Sequence, residues 1–142
     1  MLTTADIANN LRHIQWFKGV YPINLLPYSL GQSEAIIINL DESWKDGSHW
    51  FALYIDNNRI AHYFDSFGRE PKGPILTLIE KCADNYLFNP NKYQGNSSTA
   101  CGYFCMLFVL SVQSLNEFYR VFSACKHEKN EKKLFNKLIN YL

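Results

Sequence analysis

The stretch "YQGNSSTACGYFCMLFVLSV", residues 93–112, changes character at one point. Small polar residues fill it up to Thr99, and from Cys101 onward it is almost continuously apolar. An apolar stretch with no polar face is typical of a buried helix. Residues 96–99 (Asn, Ser, Ser and Thr) are all types that cap helices. The pattern therefore predicts a buried central helix with Cys101 at or near its N-terminus.

A thiol at that position is a candidate nucleophile. The free N–H groups and the dipole of a helix N-terminus favour an anion, and the thiolate is the reactive form of cysteine. Gly102 has no side chain, so we expect it to leave room for the backbone of a substrate. The alternative is that Cys101 is an ordinary small residue of the core.

The composition fits one globular domain, residues 1–142, and favours no special partner. Apolar residues make up 47% of the chain, aromatic residues 15%, and the net charge of +1 does not indicate nucleic acid. No apolar run reaches the roughly 18 residues of a membrane span, and the first ten residues do not resemble a signal peptide. The four cysteines form no C-x-x-C pair and match no common zinc spacing, so we expect a reduced intracellular protein without a metal.

Local patterns predict alternating helices and strands. We expect a helix over 4–12 capped by Thr4, loops over 16–33, and a buried strand over 35–40. Strands are predicted over 49–56 and 59–65 around the turn residues Asp56, Asn57 and Asn58. Further helices are predicted from Pro74 to about 84, over 102–115 and over 131–142, the last one amphipathic.

The hairpin supplies a candidate base and its partner. His49 begins the first strand and Asp65 ends the second. A two-residue turn at Asn57-Asn58 would pair His49 with Ser66 and turn Asp65 to the other face. A three-residue loop centred on Asn57 would pair His49 with Asp65, so we expect such a loop or a bulge. Both residues could instead be structural. His13, His62 and His127 have contexts less suited to catalysis.

Gln94, seven residues before Cys101, is a candidate oxyanion donor. Acyl transfer places negative charge on the carbonyl oxygen, and a side-chain amide together with the backbone N–H of the nucleophile can stabilise it. The alternative is an ordinary surface residue of the loop.

The order His, Asp, Gln, Cys resembles the adenovirus protease (adenain) family and, more distantly, the SUMO-type deconjugating proteases. The motifs are "GSHWFALYID", "YFDSFG" and "QGNSSTACGYFC", which together span roughly residues 47–112. The resemblance implies His49 as base, Asp65 as the group that orients it, Gln94 as oxyanion donor and Cys101 as nucleophile. It also implies a papain-like α+β fold with a mixed central sheet and flanking helices. The chain is considerably shorter than the adenovirus enzyme, and its acidic residue is Asp instead of Glu.

The same resemblance implies a biological role. Short relatives occur in virophages and large DNA transposons, so we expect a protease that matures viral capsid precursors. It would act in the infected host cell, be packaged in the virion, and work as a monomer on protein substrates away from membranes. No metal or coenzyme is implied, whereas the adenovirus enzyme is activated by DNA and by a peptide joined through a disulfide, so both activators and a peptide link at Cys82 stay open. A deconjugase for a ubiquitin-like protein and an inactive binding module are the alternatives.

The resemblance further implies cleavage after glycine. Trp50 follows His49, and Tyr103 and Phe104 follow Gly102. If aromatic rings wall the cleft, only a substrate with little side-chain bulk brings its carbonyl close to the sulfur. We therefore expect Trp50, Gly102 and Tyr103 to bind substrate; the alternative is that the rings are core residues.

Overall fold

Five strands form one mixed sheet whose spatial order follows the chain. The strands are β1 (Phe17–Pro22), β2 (Glu34–Asn39), β3 (Trp50–Ile55), β4 (Ile60–Phe64) and β5 (Asn85–Phe88). β2, β3 and β4 are antiparallel, while β1 lies parallel to β2 and β5 parallel to β4. This computed structural model describes residues 2–41, 49–96 and 98–141. The predicted α+β fold with a mixed sheet is confirmed.

Five α-helices flank the sheet within the described part of the chain. They are α1 (Thr4–Leu11), α2 (Pro74–Cys82), α3 (Cys101–Leu110), α4 (Leu115–Val121) and α5 (His127–Ile139), with short 3-10 turns at Ile23–Leu25 and Val112–Ser114. α1 is capped by the side chain of Thr3, one residue before the predicted Thr4. The helix predicted over 102–115 ends at Leu110, and α5 starts four residues before the predicted 131. None of these helices is both long and apolar enough to cross a bilayer.

The two outer strands were not predicted. Residues 16–33 contain β1 where loops were expected, and β5 lies between α2 and the loop that leads to Cys101. Gly19, Pro22 and Pro27 suggested a loop, but an edge strand tolerates such residues because only one of its sides is paired. The β1 register is irregular between Phe17 and Val20, where Gly19 has a φ of 128°.

The sheet separates two apolar cores. Alternate side chains of the central strands point to opposite faces. On one face Ile37, Ala52 and Phe64 pack with α3, and on the other Ile36, Leu53 and Tyr63 pack with α2. Helix α3 is buried along nearly all of its length, as the missing polar face predicted. Its N-terminal residue, Cys101, therefore has a position fixed by the core around it.

The β3–β4 hairpin has a three-residue loop, as predicted, but its centre is Asn58 and not Asn57. Ile55 pairs with Ala61, and the backbone N–H of Asp56 donates to the carbonyl of Ile60. Arg59 takes the left-handed conformation, with a φ of 60°, that such loops place at their last residue. Moving the centre by one residue shifts the pairing by two, which leaves every side chain on the same face.

Candidate active site

Cys101 is the first residue of α3, and no capping side chain precedes it. The N-cap residue is Ala100, which corrects the prediction of a polar cap among residues 96–99, of which Ser97 lies outside the described residues. Ser98 Oγ instead accepts a hydrogen bond from the backbone N–H of Ala100, at 3.1 Å. The first-turn N–H groups are therefore not engaged by a cap, and the Cys101 thiol stands at the positive end of the helix. Cys101 is 4% exposed.

His49 lies immediately before β3 and joins the thiol to the hairpin. Its Nε2 is 2.8 Å from Oδ1 of Asp65, so the predicted hydrogen bond between these residues is confirmed. The Cys101 side chain acts on the same ring and raises the pKa of His49, and since Nε2 faces Asp65, Nδ1 is the nitrogen left for the sulfur. Phe51 packs edge-on against the His49 ring, with 4.8 Å between the ring centroids. Phe67 lies tilted beside the His49 ring, with 5.0 Å between the centroids. Two aromatic neighbours thus fix the orientation of the imidazole.

Asp65 is fully buried and saturated with hydrogen bonds. Oδ1 accepts from His49 and from the backbone N–H of Phe67 at 2.9 Å, and Oδ2 accepts from Nε of Arg69 at 2.9 Å. Burial opposes the charged form, but the hydrogen bonds from His49 and Phe67 outweigh it and hold the pKa of Asp65 below its ordinary value. The carboxylate is therefore ionised where it meets the imidazole.

The pKa of His49 moves in the opposite direction. Burial on its own would lower it, but the hydrogen bonds with Asp65 and Cys101 and the negative charge of Asp65 raise the pKa of His49 above its ordinary value. The protonated imidazole is thereby favoured. An imidazolium next to a thiol stabilises the thiolate, the form that attacks a carbonyl.

The Gln94 side chain is buried and held at both ends. The hydroxyl of Ser66 donates to its Oε1, and its Nε2 donates to the carbonyl of Ser98 at 2.8 Å. An amide nitrogen carries two N–H groups, and the carbonyl of Ser98 accepts from one of them. Gln94 lies in a loop, as predicted. It is buried, so the alternative of an ordinary surface residue is wrong. Its role as oxyanion donor stays a prediction.

Three further residues hold this site and were not predicted: Ser66, Arg69 and Asn89. Ser66 contacts Gln94, Arg69 contacts Asp65, and Asn89 bonds both backbone groups of Asp65. Arg69 lies four residues after Asp65, a spacing visible in the sequence. The contact between Asn89 and Asp65 joins residues 24 positions apart, and no repeating pattern in the sequence predicts it.

The residues predicted to bind substrate contact neighbouring core residues, and their role in substrate binding stays a prediction. A Cβ on Gly102 would lie 2.9 Å from Leu2 and 3.3 Å from both Ile7 and Trp50, so the missing side chain lets these core residues approach closely. Trp50 is itself buried in the core on the α3 side of the sheet. Tyr103 is half-buried and packs edge-on against Phe135 of α5, at 5.0 Å. These positions match the alternative interpretation, in which the rings belong to the core.

The remaining histidines and cysteines of the described chain have other surroundings. His62 is 2.8 Å from Asp56, and His127 lies against backbone carbonyls of Lys92 and Ala124. Cys82 is buried on α2 and accepts a hydrogen bond from the backbone N–H of Leu30 at 3.1 Å. Complete burial raises the pKa of the Cys105 thiol far above its ordinary value, which makes that thiol inert. In residues 2–41, 49–96 and 98–141, no cluster of side chains is arranged to hold a metal.

A cavity of about 420 Å³ borders the Asp65 end of this arrangement. Phe51 and Tyr63 form part of its apolar wall, and Arg69 lines it beside Asp65. The cavity therefore includes Asp65, the carboxylate that hydrogen-bonds His49.

Comparison with known proteins supports the class of protein that this geometry suggests. No protein-family model matches the chain. Over 100 residues the chain is 35% identical to a protein named as a putative thiol protease of Acanthamoeba polyphaga mimivirus. This match covers 63% of the chain, which spans only 33% of the length of the mimivirus protein.

Two crystal structures of the ASFV pS273R protease resemble the chain. One matches with a TM-score of 0.62 at 17% identity, covering 94% of this chain and 66% of the ASFV chain. The other, of the selenomethionine protein, has a TM-score of 0.51 at 21% identity, over 70% and 43% of the two chains. The chain therefore has the fold of this viral protease. A thiol, an imidazole and a carboxylate that act on one another are the side chains that a cysteine protease uses.

Proposed function

We propose that the chain is a cysteine endopeptidase domain in which Cys101 is the nucleophile, His49 its base and Asp65 the group that orients His49. The observation that carries the proposal is the position of His49, which hydrogen-bonds Asp65 at 2.8 Å and whose pKa is raised by both Asp65 and the Cys101 thiol. The 35% identity to a protein named as a putative thiol protease supports it.

The geometry suggests how the reaction would run. The proton of the Cys101 thiol moves to His49, and the thiolate attacks the carbonyl carbon of the scissile peptide. Negative charge then forms on the carbonyl oxygen, where the backbone N–H of Cys101 and the remaining N–H of Gln94 would stabilise it. His49 returns the proton to the nitrogen of the leaving amine, and a thioester stays on Cys101. Water, deprotonated by His49, hydrolyses this thioester and frees the enzyme.

We propose viral capsid or structural precursors as substrates, cut at sites that contain glycine. The motifs shared with the adenovirus protease family and the likeness to proteins of two other viruses support this choice. The structure adds a steric argument, because Cys101 is 4% exposed and His49 is 7% exposed. A substrate must bring its carbonyl to within about 3–3.5 Å of the sulfur. A segment with little side-chain bulk at the cleavage point meets that requirement best.

We also propose that the domain acts as a monomer in the infected cell and in the virion, without a metal or coenzyme. Activation by a peptide or by DNA belongs to the same proposal as an open choice. Assays of the purified chain with and without DNA, and with peptides from the same genome, distinguish these choices.

The decisive test uses two groups of candidate substrates. The chain is incubated with the capsid proteins of its own genome and, separately, with ubiquitin-like fusion proteins, and new termini are mapped by mass spectrometry. We expect cuts after glycine within a capsid precursor, and none with the Cys101→Ala variant. Cleavage of the fusions alone would replace the proposal by a deconjugase. No cleavage of any substrate by a folded chain, with or without activators, would favour an inactive binding module.

A further inference from the structure

β4 and β5 form a parallel ladder that ends just before the site. Pairing runs from Ile60 with Asn85 to Tyr63 with Phe88. After Phe88 the chain leaves the sheet through Asn89 and Pro90, and proline has no N–H to offer a neighbouring strand. The backbone of Asp65 therefore extends past the last paired position on this side of the sheet.

The side chain of Asn89 takes over where the strand ends. Its Oδ1 accepts a hydrogen bond from the backbone N–H of Asp65 at 3.1 Å, and its Nδ2 donates to the carbonyl of Asp65 at 2.6 Å. Nδ2 also donates to the carbonyl of Asn91 at 3.2 Å. The side-chain oxygen of Asn89 thus accepts one hydrogen bond and its nitrogen donates two, and Asn89 is 3% exposed. The amide behaves as a peptide group of a missing strand neighbour.

Other contacts fix the carboxylate of Asp65, and its carbonyl also accepts from the backbone N–H of Gly68 at 2.7 Å, but its own N–H is bound by Asn89. Phe67 and Arg69 bind the carboxylate oxygens from the following loop. That loop turns at Gly68, where a Cβ would lie 2.8 Å from backbone atoms of Pro90 and Asn91. The loop that carries Asp65 and the loop that carries Asn89 are therefore packed backbone to backbone, and displacement of one displaces the other.

From this arrangement we propose that Asn89 is a positioning residue of the active site: it replaces the missing strand neighbour of Asp65 and so sets the distance between Asp65 and His49. The proposal rests on the proposed function for its catalytic consequence. Its physical content, the coupling of Asn89 to His49 through Asp65, is measurable without any protease assay. Alanine would leave the buried N–H of Asp65 without this partner and its carbonyl with the N–H of Gly68. Aspartate would keep the acceptor but lose both donors and add a charge near two carbonyls.

The test follows the imidazole of His49 by NMR as a function of pH. Asp65 and Cys101 are the titratable groups that contact this imidazole, and Arg69 lies beyond Asp65. In Asn89→Ala we expect the pKa of His49 to fall by about one unit or more, because burial still lowers it while its partner is displaced. The matched control is Asn85→Ala, the same change at an exposed position of β5, which should leave the titration unchanged.

A double-mutant cycle separates positioning from a general loss of stability. Residues that act through a common partner give non-additive effects. Within an Asp65→Ala background, Asn89→Ala should change the His49 titration no further. A wild-type titration in folded Asn89→Ala, or equal shifts with and without Asp65, would overturn the proposal. Should Asn89→Ala not fold, the neutral and shorter Asn89→Ser supplies the same comparison. Absence of cleavage by the wild-type chain would sink the proposed function while leaving this result intact.

Discussion

The hydroxyl of Ser66 donates a hydrogen bond to Oε1 of Gln94, and both residues are buried. Ser66 directly follows Asp65, which holds His49. Two adjacent residues at the end of β4 therefore reach the two groups that would flank a substrate, the base and the oxyanion donor. The backbone N–H of Tyr93 also donates to the carbonyl of Ser66, at 2.8 Å. The short segment after β4 thus fixes the positions of the His49 ring and the Gln94 amide relative to each other.

Replacing Ser66 by alanine should lower kcat about fivefold with little change in KM. A net hydrogen bond is worth about 1 kcal/mol, which corresponds to about that factor in rate. The Gln94 amide would stay in place but lose the contact that fixes its oxygen. Ser114→Ala, an exposed serine after α3, is the control and should have wild-type kinetics. An unchanged kcat in Ser66→Ala would show that Ser98 alone orients the amide.

Gln94→Ala should lower kcat by roughly 10- to 1000-fold, the range for loss of one oxyanion donor. Steady-state kinetics on a mapped cleavage site measure it, and circular dichroism checks that the variant is folded. If the rate equals that of the wild type, the oxyanion is bound by other donors.

The four thiols should differ sharply in their reaction with iodoacetamide at pH 6. We expect Cys101 to be labelled first. The raised pKa of His49 favours the imidazolium, and an imidazolium beside a thiol stabilises the reactive thiolate. Cys82 and Cys105 are buried, and Cys105 should stay unlabelled in the folded chain. Cys125 is exposed and serves as an internal reference.

Peptide mass spectrometry over time gives the labelling rate at each position. His49→Ala should abolish the advantage of Cys101 and leave the rate at Cys125 unchanged. Equal rates at Cys101 and Cys125 in the wild-type chain would contradict the assignment of the nucleophile.

Stability should depend on pH in two windows with opposite signs. The lowered pKa of Asp65 contributes stability that is fully present above its ordinary value of 3.8 and is lost as the pH falls through the lower folded value. The raised pKa of His49 contributes stability that is fully present below 6.5 and is lost as the pH rises through the higher folded value.

Melting temperatures across the pH range test both windows. The advantage of the wild type over Asp65→Asn should shrink below about pH 3.8, and its advantage over His49→Gln should shrink above about pH 6.5. A constant difference at every pH would mean that neither group gains its partner on folding.

Asn130 on α5 should be essential for the loop that carries Gln94. Its Nδ2 donates to the carbonyls of Tyr93 and Ser123, and its Oδ1 accepts from the N–H of Ser123. Asn130→Ala should cost roughly 2–3 kcal/mol of unfolding free energy, since each buried group left unpaired costs about 1–3 kcal/mol. Urea denaturation measures it. Asn136→Ala, an exposed change on the same helix, should be close to neutral.

The sequence allowed the central elements to be predicted, because their signals are local. The apolar run after Cys101 predicted a buried helix, and the alternating strands around Asn58 predicted the hairpin and the contact between His49 and Asp65. The centre of the hairpin loop was wrong by one residue. The error left the site intact, since a change of two in the pairing keeps both side chains on one face.

The missed features depend on contacts between distant parts of the chain. β1 and β5 are edge strands with weak patterns, and each is defined by the neighbour that pairs with it. The roles of Asn89 and Asn130 come from contacts across 24 and 37 residues. Asparagine in a polar segment suggests a turn, and only the folded chain shows which backbone groups it serves. The core contacts of Trp50 and Gly102 were missed for a similar reason, because burial is a property of the assembled layers.

Helix α5 has a consequence for the time at which activity can arise during folding. Its first turns hold the Gln94 loop through Asn130, through Glu131, which accepts from Ser98, and through His127. A nascent chain that has emerged only as far as Cys101 already contains every proposed catalytic residue but lacks this brace. In refolding experiments the ability to cleave should therefore return with the slowest-forming tertiary contacts, after helical structure has recovered. The proposed protease would thus be inactive until α5 has docked.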